Sequence, residues 1–399
     1  MDQVMLEEKR RITYLEVIIP LFYILNQYKV GSISLGLICI LVAIFVCGVQ
    51  YKRFYVYKPL LLLFGFMLLH DIIRTFITGF AVNTWIERTI YLVFLACIPG
   101  RVNKENLYKV WKIIGVIAMA GLVYQAFQVY ALGQNVSVIR IIPFLNMASN
   151  SASVYGRPHS IFMEPAAYST WILPLLCMSL SKRDNIWAII ISLTVLLSTS
   201  STGIIMVGIA WLYFSLFGVG ENGKRSNSVI LISILIIGIG IFSNTDLFSA
   251  AFQKLTNISL SNTSNNVRLM LGFMLFAGLP FVYKITGIPY LSVESYMRSG
   301  KVNLGAYGLS LNVSYLGFVN ALGNCLLTYG VLGAFFYVRN FWRLFLESDR
   351  AGKCYVILCF ASIFGQSVFW NSLFVTQFAV MLSNAEEPEC KIFTFGREY

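Results

Sequence analysis

The stretch GRPHSIFMEPAAYS, Gly156 to Ser169, brings a guanidinium (Arg157), an imidazole (His159) and a carboxylate (Glu164) together just where an apolar run begins. Pro165 suits the first turn of a helix, and a carboxylate one residue earlier sits by the positive end of that helix's dipole. Glu164 so placed is a candidate general base, with His159 the second choice. The competing reading is structural: Glu164 caps the helix, Arg157 pairs with it, and His159 is a hydrogen-bonding residue at an interface.

Other polar groups stand out against the same apolar background. Asn265, Asn266, Val267 and Arg268 open a second segment, followed by Ile285, Thr286, Gly287, Ile288, Pro289 and Tyr290. Arginine is the side chain best matched to phosphate oxygens, through its planar fork and permanent charge. For Arg140 and Arg298 taken singly, contact with lipid headgroups is the plainer reading. The hydroxyls of STSSTG, Ser198 to Gly203 and including Ser200, can hydrogen-bond sugars or cap two helices around a tight turn, and capping is the simpler reading. His70, Asp71 and Arg74 lie near Glu87 and Arg88; Asp71 and Arg74, three residues apart, can neutralise each other on one helix face, although the group could also line an access cavity. The sequence contains no Walker motif, dinucleotide fingerprint or HExxH. No cofactor or metal is therefore expected, and any transfer reaction would need a substrate that is already activated.

The elements that must position these residues follow from composition. Of 399 residues, 57% are hydrophobic and 12% charged, against about 25% charged in soluble domains. The expected fold is an all-α polytopic membrane protein of about 12 transmembrane helices, one integral membrane domain over 1–399. Basic soluble nucleic-acid binders and secreted disulfide scaffolds are excluded, and no nucleic acid is expected as a partner. Candidate crossings are 12–28, 31–50, 59–79, 84–99, 112–131, 165–181, 185–197, 202–219, 227–243, 313–338, 354–370 and 372–384. The eight cysteines lie almost entirely in apolar stretches, so disulfides are not expected.

The net charge of +12 sharpens this. Lys9, Arg10, Arg11; Lys52, Arg53, Lys58; Arg101, Lys104, Lys109, Lys112; Lys182, Arg183; Lys224, Arg225; Arg339, Arg343, Arg350, Lys353; and Lys391, Arg397 fall on alternate connections, which orients both termini to the cytoplasm. The remaining cations, among them Arg74, Arg88, Arg140, Arg157, Arg268 and Arg298, fall on the outer side or in the outer half of a crossing, where this rule predicts depletion. They point to an anionic ligand held there. Two long outer loops, about 132–164 and 244–312, supply much of that surface. Within the second, Asn266 to Tyr283 is apolar but broken at Gly278, Leu279 and Pro280, which suits an interfacial or re-entrant helix.

This arrangement resembles the bacterial O-antigen polymerase (Wzy) group, within the superfamily that includes O-antigen ligases. The resemblance rests on RPHSIFMEP (Arg157 to Pro165), LSTSSTG (Leu197 to Gly203), VRLMLG around Arg268, TGIPY around Gly287, and NVSYL followed by YGVLG (Asn312 to Gly333), covering about 156–333. It implies polymerisation of oligosaccharide repeat units carried on undecaprenyl diphosphate, at the outer face of the bacterial inner membrane. A flippase and a chain-length regulator would be possible partners beside membrane lipids. In those terms Arg157 and Arg268, then Arg298 and Arg140, would hold the diphosphate, Glu164 or His159 would act as base, and Asn312, Tyr290 and Ser200 would contact sugar or acceptor. Where ligase-like relatives carry a His in the later outer motif this chain has Asn312, which favours polymerase over ligase. The rival reading from another class is a lipid-linked oligosaccharide flippase or exporter, which would place its charges near the midplane on broken or repeated helices.

Overall fold

A computed structural model describes residues 11–78, 82–147, 156–217, 270–290, 293–301, 319–386 and 388–394. The chain is mostly helical. Its helices are α1 (Tyr14–Leu25), α2 (Leu35–Tyr51), α3 (Lys58–Thr78), α4 (Val82–Leu95), α5 (Lys104–Tyr130), α6 (Pro165–Ser181), α7 (Asn185–Leu197) and α8 (Ser201–Phe217), then the short α9 (Gly272–Ala277), α10 (Phe281–Thr286) and α11 (Val293–Arg298), and finally α12 (Ala321–Glu347), α13 (Arg350–Ser362) and α14 (Ser372–Asn384). Several starts are fixed by a capping side chain that accepts a first-turn N–H: Ser34 from Leu37, Asn103 from Asn106, Asn320 from Gly323, Asp349 from Gly352 and Asn371 from Phe374.

Successive long helices run up and down, so their connections gather at two ends. At one end strand β3 (Arg53–Tyr57) pairs antiparallel with β5 (Cys390–Thr394), in register from Arg53 opposite Thr394 to Tyr57 opposite Cys390. Lysines collect here and find carboxylates: Lys58 with Glu389 at 3.0 Å, Lys104 with Asp349 at 2.7 Å, Lys112 with Asp184 at 3.1 Å, and Lys182 with Glu105. At the opposite end β1 (Tyr28–Val30) lies between β2 (Ile33–Ser34) and β4 (Asn146–Met147), and the Tyr28 hydroxyl accepts the Ile141 N–H at 2.8 Å. This second end carries the Arg157 to Pro165 stretch.

Helices α6 and α14 form the centre. Nearly every residue of each is buried, which fits helices apolar all round. Trp171 of α6 packs on Trp111 of α5 with ring centroids 5.5 Å apart, and Phe374 and Phe378 of α14 lie 4.3 Å apart. The outward faces are apolar too: Phe45 and Val49 on α2, Ile113, Ile117 and Phe127 on α5, and Phe335, Trp342 and Leu346 on α12 are all more than half exposed.

Among the described residues only α5 and α12, 27 residues each, are long and apolar enough by length and composition to cross a membrane. The other apolar helices run 10–17 residues, and at 1.5 Å per residue the longest reaches about 25 Å, short of the roughly 30 Å of a hydrocarbon core. The expected crossing 227–243 lies outside the described residues. Two expected segments are also redrawn. The one expected at 112–131 begins earlier, because Asn103 caps the helix at Lys104. The one expected at 313–338 runs on past the half-buried Arg339 and Arg343 to Glu347, since a long cationic side chain near a helix end can keep its head in water and breaks no backbone hydrogen bond.

The segment expected as a crossing at 354–370 ends as a helix at Ser362. The carbonyls that would have continued it instead meet the start of α12, where Gln366 O accepts the Ala321 N–H at 2.8 Å and Ile363 O accepts that of Leu322 at 3.2 Å. These satisfy donors that a helix N-terminus leaves open. The stretch 363–371 is therefore an irregular wall at the second end of the bundle.

Helix α12 is itself broken at Gly330, with φ 67° and ψ −169°. The break lets α10 approach: Ile288 N–H reaches Leu327 O at 2.8 Å, and a Cβ on Gly287 or Gly330 would fall 2.2 Å from Thr328 O or 2.0 Å from Ile285 O. Only glycine tolerates both that backbone conformation and that contact. Gly330→Ala is expected to cost at least about 2 kcal/mol, read as a lowered midpoint in thermal unfolding of the detergent-solubilised protein; an unchanged midpoint would contradict the close approach.

Candidate functional site

Glu164 occupies the N-cap position of α6 with extended backbone, and Pro165 takes the first turn. Its carbonyl receives the Ala167 and Tyr168 N–H groups at 3.1 and 3.2 Å, while its carboxylate makes no capping bond. Glu164 instead lines an open cavity at the second end, together with Tyr23, Gln366, Ser367, Asn371 and Ser372. Gln366 is held there by its Nε2 donating to Thr170 Oγ1 at 2.7 Å, and its Oε1 is a buried acceptor without a partner among the described residues. A carboxylate, two amides, two serines and a tyrosine ring make a lining suited to hydroxyl-bearing ligands.

The rest of the Arg157 to Pro165 stretch is tied to α5. Gln125 Oε1 accepts the N–H groups of His159 (2.8 Å) and Ser160 (2.6 Å), its Nε2 donates to Ser137 O (2.8 Å), and Ser160 Oγ donates to Ala118 O (2.6 Å). His159 is wholly buried, with Nδ1 donating to Arg157 O at 2.9 Å. Burial pushes its pKa down; the bond to the Arg157 carbonyl opposes this, and the Arg157 charge adds to it. Arg157 is half-exposed and Arg140 exposed, and neither lines the cavity. The placement thus separates the expected base Glu164 from those two expected diphosphate ligands. Ser200 is buried and its hydroxyl accepts the Gly203 N–H at 3.2 Å, capping α8. Arg268, Asn312 and the side chain of Arg298 lie outside the described residues.

Tyr290 belongs to a second polar assembly, built where α3, α4, α10 and the break in α12 meet. Arg74 donates through Nε to His70 Nδ1 (2.9 Å), through Nη1 to Tyr290 O and through Nη2 to Thr328 O (2.6 Å), with Asp71 Oδ1 3.3 Å away. His70 Nε2 bonds Thr286 O, so its Nε2 carries the proton and its Nδ1 accepts from Arg74. Asp71 Oδ2 also receives the Tyr329 hydroxyl at 3.1 Å and Arg88 Nη1 at 3.4 Å. The pair Asp71 and Arg74, legible as self-neutralising at i, i+3, therefore also joins α3 to the carbonyls exposed by the break in α12.

The cavity and this cluster share a wall. Gly365, Gln366, Ser367, Val368 and Asn371 face the cavity, whereas Phe369 lies 6.1 Å from the ring of Tyr329 and Trp370 donates to Met67 Sδ at 3.1 Å on α3. Gln366 falls inside the stretch expected to cross at 354–370 and Asn371 in the gap between it and 372–384, so neither is singled out by sequence; the polar run Gly365, Gln366, Ser367 is the signal that could have found them. The role of Gly330 had a signal in YGVLG but none for what approaches it. The chain matches no protein-family model and no curated protein, so function has to be read from these residues.

Two outcomes follow. A histidine held below its ordinary value of 6.5 stabilises fully above that value and loses its contribution as pH falls through the lower folded value. Wild type should therefore lose more thermal stability from about pH 7 to about pH 5 than His159→Asn, and equal losses would contradict the buried neutral imidazole. Arg74→Ala leaves Asp71 and two carbonyls without the guanidinium and is expected to cost about 3–5 kcal/mol, measured as the same unfolding midpoint.

Proposed function

We propose that the chain is an integral membrane glycosyltransferase of the bacterial inner membrane, with cytoplasmic termini. It would polymerise oligosaccharide repeat units carried on undecaprenyl diphosphate at the outer face. The observation that carries this reading is the carboxylate of Glu164 opening on a cavity lined by amides, hydroxyls and a tyrosine, at the end of the bundle opposite the paired lysines. Support comes also from the apolar outward faces, which suit lipid better than water, and from the order of the short motifs between residues 156 and 333.

In the reaction proposed, Glu164 accepts the proton of an acceptor hydroxyl as that oxygen attacks the anomeric carbon of the donor sugar. The bond from that carbon to the diphosphate oxygen breaks, and the lipid diphosphate leaves with the electron pair. Cations near the leaving group would act most strongly as its charge develops. The donor's diphosphate is the activation, so the step itself needs no nucleotide. A chain-length regulator and a flippase would be its working partners.

A second reading, export of a lipid-linked oligosaccharide, is favoured by one observation: a helix broken at Gly330 beside the buried charges Asp71 and Arg74 of α3 resembles the way many transporters build a site. It ranks second because Arg74 has partners for all of its donor nitrogens within the protein.

Gene deletion separates the two. Loss of a polymerase leaves single repeat units on the lipid acceptor in a gel of surface polysaccharide, whereas loss of an exporter leaves none. Complementation with Glu164→Gln should reduce long chains by about 10²-fold or more while the protein still inserts; a wild-type ladder would overturn the assignment of the base.

A further inference from the structure

Helices α12 and α13 are joined by Ser348 and Asp349 alone and run antiparallel, the start of α12 meeting the end of α13. Between them, on the outside of the bundle, lies an open groove lined by apolar and aromatic side chains only. Phe341 and Val356, each 2% exposed, make its floor, with Trp342 and Phe345 on the α12 side and Ile357 and Phe360 on the α13 side. The rings hold one another in shape: Phe341 meets Phe360 edge-on at 5.9 Å, and Trp342 stacks with Phe345 at 6.2 Å. Trp342 nevertheless stays 61% exposed. Such a lining suits a hydrocarbon chain. A sugar or a peptide backbone placed there would leave its polar groups unpaired.

The charge at the mouth of the groove marks its occupant. Lys353 lies within about 60° of Val356, Ile357 and Phe360 around α13 and one to two turns nearer the helix start. That start belongs to the end of the bundle where lysines collect, since Asp349 caps it and pairs with Lys104 at 2.7 Å. Lys58, Lys104, Lys112 and Lys182 each find a carboxylate at this end. Lys353 is half-buried, yet its ammonium has neither an ion pair nor a hydrogen bond among the described residues. Asp349 is committed to Lys104 and to the Gly352 N–H, and Arg350, bound to the Phe217 carbonyl, adds a second positive charge nearby. A long lysine stem can lie along apolar surface with its head in the polar layer, and an exposed tryptophan near a helix end suits headgroup depth. An unpaired cation above an apolar groove complements a molecule that is anionic at one end and hydrocarbon at the other.

We propose that the groove between α12 and α13 holds an acyl chain of an anionic phospholipid from the cytoplasmic leaflet, with its phosphate at Lys353 and its ester region beside Trp342. The proposal rests on the membrane reading given above and is independent of glycosyl transfer. A lipid so seated braces the part of α12 that follows the break at Gly330 against α13.

The test places the purified full chain in phosphatidylcholine nanodiscs in which a rising fraction of lipid is phosphatidylglycerol or phosphatidylcholine brominated on an acyl chain. Bromine quenches an indole only at close range, and the difference between wild type and Trp342→Phe isolates the Trp342 signal. Half-quenching of that signal should need about fivefold less brominated phosphatidylglycerol than brominated phosphatidylcholine. Lys353→Gln should bring the two lipids together, and Lys353→Arg should keep the preference. Unfolding midpoints identify a variant that fails to fold; raising salt to about 0.5 M on wild type then tests the charge, and should shrink the preference. Equal quenching by both lipids in wild type, an unchanged preference in Lys353→Gln or in high salt, or a Trp342 that neither lipid quenches would overturn the site. A chain that does not enter the discs would contradict the membrane reading as well, which a lost lipid preference leaves untouched.

Discussion

A guanidinium taken out of water costs several kcal/mol unless its N–H groups meet acceptors, and Arg74 meets its acceptors only because α12 is broken. An unbroken helix would use the Thr328 carbonyl internally; the break at Gly330 turns it outward, and Arg74 receives it together with the Tyr290 carbonyl and the Asp71 carboxylate. The dependence runs both ways. Without Arg74 the broken helix would bury unpaired carbonyls, and without the break Arg74 would be a buried charge short of partners. Glycine at 287 and 330 is what allows α10 and α12 to come close enough for both.

The remaining architecture at this end follows from similar accounting of backbone groups. The start of α12 takes carbonyls from 363–366, which ends α13 at Ser362 and leaves 363–371 irregular. One side of that stretch presents Gln366, Ser367 and Asn371 to the cavity of Glu164, and the other presents Phe369 to Tyr329 beside the arginines.

Much of the frame was legible in the sequence. The spacing of apolar runs and the alternation of lysine and arginine located most of the helices and which connections lie together, because both signals are local. Glu164 at the head of α6 was legible for the same reason, through Pro165 and the polar run before it. What sequence could not reveal is long-range: Gln125 holding His159 and Ser160 from 34 and 35 positions away, or Tyr329 meeting Asp71 across 258 positions. Asp71 and Arg74 were visible as a pair, yet their i, i+3 spacing suggested only mutual neutralisation; that Arg74 reaches two other elements depends on a helix break whose partner cannot be inferred from YGVLG. Arg140 and Arg157 show the converse, being the right residue type in the right loop but not among the residues that line the cavity.

The central claim, that a lipid-linked sugar chain is lengthened by this protein alone, is tested most directly by reconstitution. Purified full chain in proteoliposomes would be given undecaprenyl-diphosphate-linked repeat units and no nucleotide, and the products separated by size. The account predicts a ladder spaced by one repeat unit with release of undecaprenyl diphosphate in step with chain growth. Repeat units that cross the bilayer without lengthening, or that remain unchanged, would contradict it.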